Sequence, residues 1–382
     1  MPQNLDQETR NSIFWVSAII NSSLVVANVR MITTRILPKK GVKDVALLLW
    51  GCLKTLVIMG ILSHVCTEAL IEFGTKPMEM TANHNLSSSI NFCENDFLHS
   101  QHVAEPANSM SSLTTYPPLA LLGLYVRPQG LTNSSTGRLR FTLAYLSLLA
   151  IGLGSFWLHS QLTAEAQGGD ELPILWNLGI TAFIVVDCLT HFRTAIGKHR
   201  TSPWLVGFST ITSIVATFTY IFNREDFMIF YIILSVYLVL ILVGEGTLAF
   251  SDFTKYGESD SFKVKVLLPL VSCNAWVYLL SSLLWVSEML YCHDAIKDFR
   301  WGATIAPWFF DRAIHAGWHC TSALLGYLTI QILLSVWGFQ QRWGTAQLQW
   351  FGAPVDGAEI ANTNSVQSSD LTHLLTFYGN EE

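Results

Sequence analysis

Long, uninterrupted runs of hydrophobic residues dominate the chain from residue 104 onward. Each run has about 20 residues, the length that a helix needs to cross a hydrocarbon core about 30 Å thick. The runs lack the alternation of hydrophobic and polar positions that membrane β-barrels require, so the pattern predicts helices. Seven such spans are predicted, at residues 104–126, 139–162, 172–192, 204–222, 227–250, 264–289 and 314–337.

Two further hydrophobic runs precede these seven. The run at 45–65 carries Lys54 as its only fixed charge, whereas the run at 13–31 is interrupted by Asn21 and Asn28. We expect about two extra N-terminal transmembrane helices, and therefore nine spans in all. The predicted regions are an N-terminal extension at 1–67, a seven-helix domain at 68–342 and a polar tail at 343–382.

The composition supports a membrane protein. Of the 382 residues, 51% are hydrophobic and only 13% are charged, about half the charged fraction of an average soluble protein. Together with the spans, this predicts an all-α polytopic membrane protein. The net charge of −6 removes any general case for nucleic-acid binding, which needs a basic surface.

The distribution of Lys and Arg among the loops predicts the orientation. Three of these residues follow each of the first, third and fifth of the seven spans, whereas the other three loops hold four in total. Because cytoplasmic loops are enriched in Lys and Arg, we expect the first set of loops to be cytoplasmic. The N-terminus would then be lumenal and the C-terminus cytoplasmic, in a membrane that we expect to be the endoplasmic reticulum or the Golgi.

Ionisable residues near the ends of two spans suggest a metal site. Ser155 and His159 end the second span, and His315 and His319 begin the seventh, each pair spaced four residues apart on one helical face. The predicted orientation puts the three histidines at the same membrane depth, together with Asp170 at the start of the third span. Three histidines with an open fourth position are typical of a catalytic zinc site. The plainer interpretation is that each histidine sits separately at the membrane interface.

A group of acidic and amide residues precedes the first of the seven spans. It comprises Asn91, Glu94, Asn95, Asp96, Glu105 and Asn108. Such side chains supply the hard oxygen ligands that calcium prefers. They are equally typical of a solvated loop that leads into a helix, and the residues alone favour this second interpretation.

Five motifs in order resemble the alkaline ceramidases of the CREST superfamily of seven-helix membrane hydrolases. The resemblance covers about residues 90–340. Its motifs are N-F-C-E-N-D-F with A-E-P-A-N at 91–108, G-S-F-W-L-H at 154–159, D-E-L-P-I-L-W at 170–176, W-V-S-E-M-L-Y-C at 285–292 and H-A-G-W-H at 315–319.

The resemblance implies a zinc-dependent hydrolase that cleaves ceramide, a membrane lipid, into sphingosine and a free fatty acid. It implies two catalytic residues and two metal sites. They comprise Ser155 and Asp170 for the reaction, His159, His315 and His319 for zinc, and Asn91, the Phe92 carbonyl, Glu94, Asp96 and Glu105 for calcium.

Four positions depart from the usual pattern of that family. Asn91 stands where Asp is usual, and Asp96 stands where Asn is usual, so the number of carboxylates is unchanged. Phe92 replaces a usual Trp, which a backbone carbonyl ligand tolerates. Glu288 replaces a usual Asp and keeps the charge. We therefore expect calcium binding with altered geometry.

The resemblance also favours a disulfide between Cys93 and Cys292. The charge distribution puts both on the lumenal side, where disulfides persist. Cys66 also ends a span on that side, so it is an alternative partner for either residue.

Two other functions fit parts of the pattern. One is another CREST hydrolase, of the GPI-remodelling or adiponectin-receptor type, although the C-E-N-D and D-E-L-P motifs favour the alkaline ceramidases. The other is a seven-helix lipid receptor without turnover, against which the intact set of Ser, Asp and three His residues argues.

Overall fold

The computed structural model describes residues 42–73, 86–90, 92–94, 96–97, 100, 102–125, 135–194, 202–251, 263–292 and 313–340. Within these residues the chain forms eight α-helices and no strand, which confirms the all-α class. They are α1 (Val42–Phe73), α2 (Pro106–Tyr125), α3 (Ser135–Gln161), α4 (Ala164–Thr194), α5 (Pro203–Phe222), α6 (Phe227–Phe250), α7 (Leu268–Cys292), which follows a π-helical turn (Lys263–Leu267), and α8 (Ile314–Gln340).

Seven of these eight helices are long and apolar enough to cross a membrane, as expected of a multi-pass protein. The exception is α2, which we predicted as a span. It is less apolar because one of its faces carries buried Ser and Thr residues. Their hydroxyls bond to the carbonyls of the preceding turn, as Ser112 does to Asn108 at 2.8 Å and Thr115 to Ser111 at 2.7 Å. Such local bonds satisfy hydroxyls without a solvent contact.

Two helices extend beyond their predicted spans. The span predicted at 45–65 is part of α1, which continues to Phe73 and thus passes through the proposed domain boundary at residue 67. The span predicted at 172–192 begins earlier, at Ala164. Hydropathy missed this first part of α4 because it contains Gln167 and Glu171, which are buried against each other at 3.0 Å. Residues 13–31 and 343–382 lie outside the described residues, and the domain division stays a prediction.

Helix α8 is the central element of the bundle. In its most apolar window 72% of the residues are buried, compared with 6% in α5 at the periphery. Helix α8 packs against α2 and α7, and α3 packs against α2 and α4. The antiparallel arrangement brings the end of α3 together with the beginnings of α2, α4 and α8. The candidate site lies at this end of the bundle.

Candidate active site

Three histidine side chains meet where α3 ends and α8 begins. His159 lies in the last turn of α3, and His315 and His319 lie in the first two turns of α8. All three are at least 98% buried. One ring nitrogen from each lies within 4.8 Å of the other two. The structure thus brings together the histidines that we expected at one membrane depth.

The spacing of the ring nitrogens suits a tetrahedral metal. The Nε2 atoms of His159 and His315 are 3.2 Å apart. Two nitrogen ligands of a tetrahedral zinc, each about 2.0–2.1 Å from the ion, lie roughly 3.3–3.4 Å apart. Both the donor type and the distance therefore fit zinc.

Two buried carboxylates orient His159 and His315. Glu105 Oε2 lies 2.5 Å from His159 Nδ1, and Glu288 Oε2 lies 2.5 Å from His315 Nδ1. A carboxylate accepts the Nδ1 proton, so the lone pair of each ring is at Nε2. Carboxylate–histidine pairs of this kind are typical of protein metal sites, where they fix the ring and make its free nitrogen a stronger ligand.

Two hydroxyls from α2 orient the third histidine in the same way. His319 Nδ1 lies 2.7 Å from Ser111 Oγ and 3.1 Å from Ser112 Oγ. Both hydroxyls donate to the Asn108 carbonyl, at 2.9 Å and 2.8 Å. Their lone pairs are thus available to accept the Nδ1 proton, which leaves His319 Nε2 as the ligand atom.

Ser155 joins this cluster one turn before His159. Its Oγ atom is 3.3 Å from His319 Nε2 and 2.9 Å from Ser112 Oγ. The side chain is 98% buried. The Ser155 hydroxyl therefore lies directly beside the cluster of histidine ring nitrogens.

Asp170 reaches the same place because α3 and α4 approach very closely. A methyl group at Gly154 would collide with the Gly169 carbonyl and come within 3.0 Å of the Asp170 nitrogen. Glycine is thus required for this approach. The Asp170 carboxylate lies near the Ser155 hydroxyl, which can stabilise it as a hydrogen-bond donor. It is in the second turn of α4 and not, as we expected, at the start of a helix.

The acidic segment before α2 is joined directly to the histidines. Glu94 accepts the backbone N–H groups of Ala107 and Asn108, at 2.8 Å and 2.9 Å, and so caps α2. Glu105, at the end of the segment, is hydrogen-bonded to His159. Asp96 is near enough to Glu105 for the two carboxylates to repel each other. Asn91 lies outside the described residues. The structure therefore brings Glu94, Asp96 and Glu105 to the end of the bundle that holds the histidines.

Cys93 is disulfide-bonded. The alternative partner Cys66 is a free thiol, as are Cys52, Cys188, Cys273 and Cys320. The side chain of Cys292 lies outside the part of α7 whose side chains are described. The pairing of Cys93 with Cys292 stays a prediction.

The family comparison agrees with this geometry. A family model described as Ceramidase matches residues 84–355. The chain belongs to the ceramidase family. This confirms the resemblance of the five motifs and makes the protein a hydrolase of the ceramidase type.

Several ceramidases are similar to this chain over most of their own length. Alkaline ceramidase 3 of Mus musculus is 27% identical over 248 residues, which cover 64% of this chain and 82% of the relative. The alkaline ceramidase of Arabidopsis thaliana is 23% identical, with 68% and 87% covered. Alkaline ceramidase 1 of Homo sapiens is 25% identical, with 54% and 70% covered. Helix α1 precedes the region that the ceramidase model matches.

A largely apolar cavity of about 520 Å³ opens beside the histidines of this ceramidase. His315, Trp318, Asp170 and Glu171 line its polar end. The remaining wall extends into the bundle between α4, α6, α7 and α8, and it is made mainly of Leu, Ile, Phe and Tyr side chains. The arrangement can therefore hold a hydrocarbon chain with a polar group next to the histidines.

Sequence reasoning missed the partners of the histidines. The sequence pattern indicates only that Glu288 keeps a charge, and it predicts no role for Ser111 or Ser112. A carboxylate within a membrane span was a usable signal for Glu288, because such residues are rare and functional. The two serines gave no signal, since hydroxyl residues are common in membrane helices and only the packing of α2 on α8 makes them partners of His319.

Proposed function

We propose that the protein is a zinc-dependent intramembrane amidohydrolase that cleaves ceramide to sphingosine and a free fatty acid. The observation that carries the proposal is the convergence of three Nε2 lone pairs beside Ser155 and Asp170, at the polar end of an apolar cavity. The names of the similar ceramidases support ceramide as the substrate.

His159, His315 and His319 would hold the zinc. Their outward Nδ1–H groups are satisfied by Glu105, Glu288 and the α2 hydroxyls, so all three inward nitrogens are free to bind one ion. When bound there, zinc would polarise the amide carbonyl and lower the pKa of a water molecule to about 7.

Asp170 and Ser155 would move the protons. The Asp170 carboxylate takes a proton from water as the water oxygen bonds to the amide carbon, and it returns this proton to the nitrogen as the C–N bond breaks. The Ser155 hydroxyl donates to the carbonyl oxygen, on which negative charge develops. The products are a fatty acid and the free amine of sphingosine. One water molecule is consumed, because its OH group joins the acyl carbon and its other proton joins the nitrogen.

We also propose a calcium ion held by Glu94, Asp96 and Glu105, with Asn91 and the Phe92 carbonyl. Glu94 and Glu105 are 98% and 100% buried, and Glu105 Oε1 has no hydrogen-bond partner among the described residues. A bound cation would offset the repulsion between carboxylates brought together in a buried place, and oxygen ligands of this type suit calcium.

The site would open on the lumenal side of the endoplasmic reticulum or Golgi membrane. The loop charges support this orientation, with the N-terminus lumenal and the C-terminus cytoplasmic. The disulfide of Cys93, in the segment next to the histidines, is in keeping with an oxidising compartment.

The test is hydrolysis of a ceramide panel by the purified full-length protein, with zinc measured by mass spectrometry. We expect release of sphingosine and fatty acid in equal amounts. His159→Ala, His315→Ala and His319→Ala should each lose both zinc and activity. Asp170→Asn should keep its zinc and lose about 10²- to 10⁴-fold in kcat, because an amide cannot take the proton.

The matched control is His64→Ala, which removes an exposed histidine of α1 and should change neither zinc nor turnover. Full activity in any variant of the three cluster histidines would refute the zinc site. Zinc binding without release from any ceramide would favour the lipid-receptor alternative, and release from other lipids alone would favour a different CREST hydrolase.

A further inference from the structure

Glu171 lies next to the proposed proton carrier but has no role in the scheme above. It is 97% buried, and it lines the same cavity as Asp170. Successive residues of a helix point about 100° apart. Glu171 therefore lies on a different part of the cavity wall from Asp170, although the two residues are adjacent in sequence.

One oxygen of Glu171 is held firmly in place. Glu171 Oε1 accepts from Gln167 Nε2 at 3.0 Å. The orientation of the Gln167 amide is unambiguous, because its oxygen accepts the Ser89 backbone N–H at 2.8 Å and a backbone N–H can only donate. The Gln167 amide thus links Glu171 to the segment 86–90 and fixes the carboxylate.

The other oxygen of Glu171 has no such partner. Glu171 Oε2 is buried and makes no hydrogen bond with any residue that the structure describes. A buried acceptor without a donor costs about 1–3 kcal/mol, and more when it is charged. An oxygen in this state, on a side chain that lines the cavity, is suited to accept a hydrogen bond from a ligand.

Tyr220 lies next to Glu171, although it is not among the described residues that line the cavity. It is the one buried residue of α5, whose other side chains are exposed or half-buried. Phe230 packs edge-on against its ring at 6.2 Å. Its hydroxyl faces Glu171 but makes no hydrogen bond of 3.5 Å or less within the described parts of the chain. Helix α5 thus directs a single tyrosine toward Glu171.

We propose that Glu171, positioned by its neighbours Gln167 and Tyr220, forms a subsite that binds a hydroxyl group of the sphingoid head of the substrate. An alcohol can donate to Glu171 Oε2, the oxygen that makes no hydrogen bond within the described residues. The inference rests on the proposed ceramide hydrolysis. Ceramide carries one hydroxyl on each carbon that flanks the amide-bearing carbon, and either would be adjacent to an amide held at Asp170.

The experiment compares ceramide with the 1-deoxy and 3-deoxy analogues, each of which lacks one of the two hydroxyls. In the wild type, kcat/KM should fall about 10- to 100-fold for the analogue that lacks the bound hydroxyl, as expected for a hydrogen bond to a charged group. Glu171→Gln should lose a similar factor on ceramide but very little on that analogue. The analogue that is affected identifies which hydroxyl is bound.

Two further variants keep the result interpretable. Tyr220→Phe removes only a hydroxyl, so it should reduce the same preference and decides the question if Glu171→Gln does not fold. Glu165→Gln changes an exposed carboxylate of the same helix and should preserve the full preference. An equal loss on all three substrates would give Glu171 a purely structural role and overturn the subsite, as would a wild type indifferent to both hydroxyls. Failure of the wild type to cleave ceramide would instead refute the proposed function.

Discussion

The tautomer of each histidine is set by a residue outside the cluster. Glu105 and Glu288 accept from two of the Nδ1 atoms, and the Ser111 and Ser112 hydroxyls accept from the third. All three rings are therefore prepared to bind through Nε2. A cluster without such partners would expend part of its binding free energy on selecting tautomers and rotamers, so these residues should contribute directly to metal affinity.

We predict that Glu288→Gln weakens zinc binding about 10- to 100-fold. The amide keeps the shape of the side chain but removes the charge that favours a proton on His315 Nδ1. Competition with a calibrated zinc chelator measures the affinity. Glu288 is the better choice than Glu105, because it is not among the proposed calcium ligands.

The matched control for this prediction is Glu245→Gln. Glu245 is a carboxylate of α6 with similar burial, and it accepts from Asn274 at 2.9 Å. It is not among the partners of the histidines, so its replacement should leave zinc affinity unchanged. If Glu288→Gln binds zinc as tightly as the wild type, the carboxylate does not tune His315.

The three clustered histidines could be predicted from the sequence, whereas the residues that support them could not. The spacing of four residues on one helix indicates His315 and His319, and the position at the end of another helix indicates His159. The contact of Ser112 with both His319 and Ser155 depends on how α2, α3 and α8 pack. Hydropathy contains no information on such contacts between helices.

At the scale of the helices, type and approximate position could be predicted, but the full extent of α1 and α4 could not. Hydropathy counts Gln167 and Glu171 as polar and so begins the span only at residue 172. A hydrogen bond between these two side chains allows the helix itself to begin at Ala164. Helix α2 was predicted as an ordinary apolar span, yet its hydroxyl face is what reaches His319. In both helices, polar residues that pair inside the bundle obscured the pattern.

Helix α1 precedes the matched family region but packs on the bundle. It contacts α2, α7 and α8, and the thiol of Cys52 is within hydrogen-bond contact of Cys273 on α7. Both thiols are buried and free. The small thiol pair allows the two helices to approach, which makes α1 an integral part of the bundle at this level.

We predict that mild oxidation with copper phenanthroline joins Cys52 to Cys273. A protease site introduced between residues 76 and 82 would separate α1 from the rest of the chain. After cleavage, the two fragments should stay together on a non-reducing gel and separate once reduced. Cys66→Ser, on the same helix, should leave the link intact, whereas Cys273→Ser should abolish it. A link that survives Cys273→Ser would show that α1 packs elsewhere.

At the scale of the whole molecule, the segment before α2 closes the end of the bundle that holds the site. Its backbone donates from Ala104 to Ser160 at 3.0 Å and from Glu105 to His159 at 2.9 Å. The Phe92 ring lies 4.0 Å from the ring of His315. Because the same segment carries the proposed calcium ligands, an ion bound there would stabilise both the closed end and the orientation of His159.

We therefore predict that calcium raises the thermal unfolding midpoint of the zinc-loaded protein. A ligand that binds only the folded state at 100 times its Kd stabilises it by about 2.7 kcal/mol. Calcium is added to desalted protein that contains zinc, so no chelator disturbs the histidine site. Asp96→Asn should lose most of the stabilisation, because one of the carboxylates is removed.

The exchange of residues between positions 91 and 96 supplies the decisive comparison. The family pattern that the five motifs resemble has Asp at the first position and Asn at the second, the reverse of Asn91 and Asp96 here. The double variant Asn91→Asp with Asp96→Asn restores the carboxylate count and should regain the calcium response that Asp96→Asn loses. Glu68→Gln, an exposed carboxylate of α1, should respond as the wild type does. If calcium stabilises the Asp96→Asn variant as much as the wild type, Asp96 is not a ligand, and if it stabilises neither, the segment holds no calcium.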